Sequence, residues 1–109
     1  MTKFLTIAKF RKLVQESDTA KQLLLNHPKF AQDTWAGRIL QGIAKGMSAK
    51  QACFESYYWE QKLYEKIGES IKPVKVFYTP SRIVSTTRSA LKLFSRLLNE
   101  EDAKVLEKQ

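Results

Sequence analysis

The stretch TPSRIVSTTRSALKLFSRLL, residues 79–98, carries two patterns at once. Ile83, Ala90, Phe94 and Leu97 recur at helical spacing, with Val84, Leu91 and Leu98 beside them, which makes one apolar face. Thr79 followed by Pro80 is a helix start, because a threonine oxygen can cap the first free amides and proline lacks the N–H that a first turn does not need. A helix over residues 80–98 is therefore predicted. Arg82, Ser85, Ser89, Lys92 and Arg96 fall on its other side at alternating steps of three and four, with Arg88 and Ser81 beside that row. An amphipathic helix of this length needs other elements to cover its apolar side.

The same reading extends outward in both directions. Ser48-Ala49-Lys50-Gln51 is a capping box, and it opens a helix over 49–67 that ends near Gly68. Ala52, Ser56, Trp59, Leu63 and Ile67 share one of its faces, while Phe54, Tyr57, Tyr58 and Tyr64 share another. Gly46 is a left-handed stop for a helix of about 29–45, with Ala31, Trp35, Ile39 and Ile43 aligned. Asn26-His27-Pro28 breaks the chain before it, since proline disfavours helical geometry at the preceding residue. Ile7, Phe10, Leu13 and Val14 mark a helix over 6–15, and Ser17-Asp18-Thr19 caps a short one containing Leu23, Leu24 and Leu25. Residues 71–78, with Pro73 among β-branched neighbours, read as an extended crossover. Asn99 is expected to end the 80–98 helix, and Glu100-Glu101-Asp102 to begin a short terminal one with Val105 and Leu106. The predicted fold class is all-α: one domain over residues 1–109, a compact bundle of four to five helices with one short extended segment near residues 71–78.

Composition narrows the function classes. The chain has 109 residues, 43% of them hydrophobic, enough for one modest core. No apolar run approaches the roughly 18 residues of a membrane-spanning helix. Only about five apolar residues separate Lys3 from Lys9, too few for a secretory signal, so a cytoplasmic location is expected. The lone Cys53, between Ala52 and Phe54, reads as a buried, inert thiol. One histidine and one cysteine leave no zinc set, and Gly37, Gly42, Gly46 and Gly68 form no phosphate-cradling loop. Glu65 and Glu69 stand beside Lys62 and Lys66 as surface ion pairs, not as an acid–base couple. No enzyme activity, metal or cofactor is expected.

The net charge of +8 is concentrated. Residues 71–98 hold six basic groups and no acidic one, namely Lys72, Lys75, Arg82, Arg88, Lys92 and Arg96, whereas residues 31–70 hold five of each sign. Cations and hydroxyls on one rigid face, with no carboxylate competing, suit phosphate oxygens. Arg82, Ser85, Arg88, Ser89, Lys92, Arg96, Lys72 and Lys75 are thus candidate contacts to DNA or RNA, with Lys9, Arg11, Lys12 and Lys21 as reinforcement. Such a module would be a small regulator or a subunit of a nucleoprotein complex.

The string Lys45-Gly46-Met47-Ser48-Ala49-Lys50-Gln51-Ala52-Cys53 resembles the opening of helix-turn-helix units in transposases and phage terminase small subunits, where a Gly-x-Ser turn precedes a short helix with an alanine. It covers nine residues. It departs from that pattern because residues 55–60 continue as helix where a second turn and a reader helix should follow, and because Glu55, Glu60, Glu65 and Glu69 would face phosphates. An ordinary helical hairpin is the simpler reading.

Two other classes compete. An aromatic surplus at Phe54, Tyr57, Tyr58 and Tyr64 marks a protein-interaction module, such as an inhibitor, an immunity-type protein or an assembly subunit, with self-association included. Peripheral attachment to an anionic membrane through the 80–98 helix is the other, although that helix carries only one large aromatic, Phe94.

Overall fold

A computed structural model describes residues 5–31, 33–68 and 77–107. Five α-helices follow one another: α1 (Ile7–Glu16), α2 (Asp18–Asn26), α3 (Trp35–Ala44), α4 (Ala49–Lys66) and α5 (Pro80–Glu107), with a 3-10 turn at Pro28–Phe30 between α2 and α3. The fold is an all-α bundle, and no strand occurs among the described residues.

At each helix start a side-chain oxygen accepts from one of the free amides. Thr6 accepts from the Lys9 amide, Ser17 from Ala20, Thr34 from Gly37, Ser48 from Gln51 and Thr79 from Arg82. His27 does the same for the 3-10 turn, its Nδ1 accepting from the Lys29 amide at 3.1 Å. Each such cap stabilises a helix by about 1 kcal/mol. Gly46 ends the α3 turn at φ 109°, the left-handed stop expected of it.

One core holds the bundle together. Phe10 of α1, Phe30 of the 3-10 turn, Ile39, Leu40 and Ile43 of α3, Cys53 of α4 and Phe94 of α5 are all fully buried. The Phe94 ring meets Phe10 edge-on at 5.0 Å and Phe30 at 5.5 Å. Both geometries suit the aromatic quadrupole. Central α3 is buried through Ala36, Gly37, Ile39, Leu40, Gly42 and Ile43. Arg11 ties α1 to the end of α3: its Nε donates to the Ile43 carbonyl at 2.9 Å and its Nη2 to the Met47 carbonyl at 2.7 Å. A cation thereby stands at the negative end of the α3 dipole, where the Ile43 carbonyl also accepts from the Gly46 amide at 3.1 Å. Arg38 ties α3 to α4, its guanidinium carbon 3.9 Å from the centre of the Trp59 ring.

Three expectations need correction. The helix predicted for 29–45 starts only at Trp35. Thr34 is responsible: its hydroxyl donates back to the Ala31 carbonyl at 2.7 Å while accepting from Gly37, which turns the chain after Phe30. Trp35 consequently sits at the edge of the buried face, 41% exposed. Asn99 does not stop α5, which runs on to Glu107 without a separate terminal helix. Asparagine is only a mild helix breaker, and Ala, Lys, Leu and Glu beyond it are good helix formers. The apolar face predicted for α4 is buried only in its first half, at Ala52 and Ser56, while Leu63 and Ile67 are exposed. Of the predicted extended segment, residues 71–76 lie outside the described residues.

Gly37 has no room for a side chain, because an added Cβ would overlap the carbonyl oxygens of Phe30 and Ala31. Gly37→Ala is expected to lower stability by about 2 kcal/mol or more, since backbone must move to admit the methyl. A urea midpoint within error of the parent would contradict this. Arg11→Met keeps the alkyl packing and removes both charged hydrogen bonds, and should cost about 1.5–3 kcal/mol in the same titration.

Candidate functional site

The outer face of α5 is set by its inner one. Thr87, Ala90, Leu91, Phe94 and Leu97 are buried, so the residues about half a turn away must face out. Ser81, Arg82, Ser85, Arg88, Ser89, Lys92 and Arg96 are all exposed. Arg88, Lys92 and Arg96 stand four residues apart, which stacks them as a ridge about 6 Å from one to the next. Ser81, Ser85 and Ser89 form a parallel ridge of hydroxyls at the same spacing. Six of the eight predicted phosphate contacts are therefore brought onto one helix face, and Lys72 and Lys75 lie outside the described residues.

A shallow groove of about 670 Å³ runs along this face, with Pro80, Ser81, Val84, Ser85, Arg88, Ser89 and Lys92 in its lining. Pro80 and Val84 were missed as lining residues in the sequence reading. Nothing in a helical wheel marks a concavity, although Val84 does sit at the apolar–polar boundary and is 50% exposed.

Arg82 differs from the other three cations. Its guanidinium carbon lies 4.5 Å from the centre of the Phe77 ring. Phe77 stacks on Tyr57 at 4.8 Å, and both rings meet Tyr78 edge-on. This aromatic cluster fixes the start of α5 against α4 and holds Arg82 beside it. Burial, the charge on Glu60 and the Cys53 side chain push the Tyr78 hydroxyl up to about 12, so the phenol stays neutral. Burial also raises the Cys53 thiol, partly offset by its contact with the Thr87 hydroxyl at 3.7 Å. A neutral, enclosed thiol is a packing group and not a nucleophile.

The candidate partner surface on α4 divides. Tyr57 is buried and Phe54 half-buried within the core and the aromatic cluster, whereas Tyr58 and Tyr64 are 43% and 40% exposed. Of the suggested reinforcing cations, Lys9, Lys12 and Lys21 are exposed, but Arg11 is occupied with the end of α3. Helix α4 runs unbroken from Ala49 to Lys66, so no separate reader helix follows the Gly46–Ser48 turn. No three His, Cys, Asp or Glu side chains come together as a metal site among the described residues. Nor is any described helix long and apolar enough to cross a membrane. Comparison with protein-family models, curated proteins and solved structures finds no match to this chain.

Burial raises the Glu60 carboxyl above its ordinary value of 4.5. The native state then holds a proton that the unfolded chain has released, so stability falls as pH rises from the unfolded value through the native one. Glu60→Gln should therefore be more stable than the parent at neutral pH, by less than about 1 kcal/mol given the site's solvent access. The gap should close well below pH 4.5. Thermal midpoints at the two pH values measure this, and a gap that persists in acid would contradict it.

Proposed function

We propose that the protein is a non-catalytic module that binds nucleic acid through the phosphate backbone, using the outer face of α5. The observation that carries this reading is the exposure of Arg82, Arg88, Lys92 and Arg96 on a segment with no acidic residue between positions 71 and 98. A solvated helix face ordinarily mixes charges of both signs. Between Arg82 and Arg96 no carboxylate stands on the helix, the first being Glu100 one turn beyond Arg96, and a polyanion neutralises the row with release of its counterions. Serine hydroxyls between the cations add neutral donors to phosphate oxygens. A net charge of +8 steers polyanions toward the molecule from a distance.

A protein-interaction module is the second reading. It is favoured by the exposed Tyr58, Leu63, Tyr64 and Ile67 on the second half of α4. Aromatic side chains of this kind anchor protein interfaces. The first reading is preferred because the cations outnumber any neutralising group on their own face, whereas the exposed rings of α4 are mixed with Lys62, Glu65 and Lys66.

A fluorescence-anisotropy titration with a mixed-sequence oligonucleotide at several salt concentrations tests the proposal. Binding should weaken steeply with salt, and Lys92→Ala and Arg96→Ala should each flatten the log–log slope by about 0.7–0.9 without changing the helical circular dichroism. Absence of binding at low salt, or variants with the parent's slope, would sink it.

A further inference from the structure

We infer that the α5 face takes a double helix in preference to a single strand. This rests on the nucleic-acid reading above and specifies its substrate class. Proteins that hold single strands combine a basic track with aromatic side chains on which the unpaired bases stack. The α5 face has the first of these and not the second. Its aromatic residue between Pro80 and Leu98, Phe94, is fully buried against Phe10 and Phe30. Phe77, the ring nearest the start of the row, is closed on one side by Tyr57 and covered by the Arg82 guanidinium.

The exposed rings belong to other elements. Trp35 begins α3, and Tyr58 and Tyr64 lie on α4. Helix α5 meets α4 on the Cys53 side, through Thr87. Five residues on from Cys53, Tyr58 is turned about 140° around α4, away from α5, whereas Tyr64 returns to the Cys53 side but two turns past the Tyr57 ring that stacks on Phe77. Along the outer face of α5 from Arg88 to Arg96, a strand finds cations and hydroxyls and no ring of that helix for its bases.

A face that works by charge alone favours the denser polyanion. A duplex presents one charge per ~1.7 Å of axis, and its bases are already paired and stacked, so nothing is lost by offering them no platform. From Arg82 to Arg96 the row spans about 21 Å, the length of roughly six nucleotides of one duplex strand. Four cations over that length predict a log–log salt slope of about −3.6 on duplex DNA against about −2.8 on a single strand.

The test is a parallel titration of the full chain at about 50 mM salt with a mixed-sequence DNA duplex, an RNA duplex of the same sequence and each DNA strand alone. Expected is at least one duplex binding about tenfold more tightly than either strand, with the steeper slope, and the better duplex identifies the nucleic acid. Equal or tighter binding of the single strands, especially if Trp35→Ala or Tyr58→Ala weakens it, overturns the duplex inference and leaves the nucleic-acid reading standing. No binding of any probe overturns both.

Discussion

Phe94 lies edge-on to Phe10 and tilted against Phe30, with all three rings fully enclosed. One contact thus joins α5, α1 and the 3-10 turn, elements far apart in sequence. It also fixes the rotation of α5 about its own axis. A helix has no independent choice of which side faces water, so fixing one face fixes the other. With Phe94 inside, Lys92 and Arg96 are carried outside, and Arg88 and Ser89 follow by the helical repeat. The charged surface is a by-product of how the core is filled, and the core sets where its backbone stands.

That coupling explains why the α5 face was legible in the sequence. Its apolar and polar residues obey one period over five turns, and Thr79-Pro80 announces where the count begins. The capping box at Ser48 and the left-handed Gly46 were equally plain, because their signals are local. Contacts between distant segments were not legible. Arg11 looked like one more surface cation, yet it reaches the carbonyls of Ile43 and Met47, more than thirty positions away. Trp35 looked like core by its spacing from Ile39, but the Thr34 turn places it at the margin. The α4 aromatics could not be sorted either, since periodicity alone does not say where the neighbours of a long helix end. Tyr57 has Phe77 and Tyr78 to pack on, while Tyr64 lies two turns further along, past them.

Cations occupy two kinds of setting in this molecule. Cations with rings beneath them, Arg38 on Trp59 and Arg82 on Phe77, stand where helices meet and help hold those junctions. The cations further along α5, Arg88, Lys92 and Arg96, are exposed along the middle of the helix. Arginine therefore has two uses here, as clamp and as surface charge, and only the surrounding elements distinguish them.

Helix α5 is 28 residues long, about 42 Å, in a molecule whose longest dimension is 53 Å. Among the described side chains Leu97 and Leu98 are the last of the helix to pack on the core, and the helix carries on through Asn99 and Glu100 to Glu107. Because the helix continues through Asn99, exposed Glu100 stands one turn beyond Arg96 on the same helix. Such an arrangement is a ruler with a stop at one end. The run of uncompensated positive charge on the helix therefore closes at Arg96, with a carboxylate four residues on.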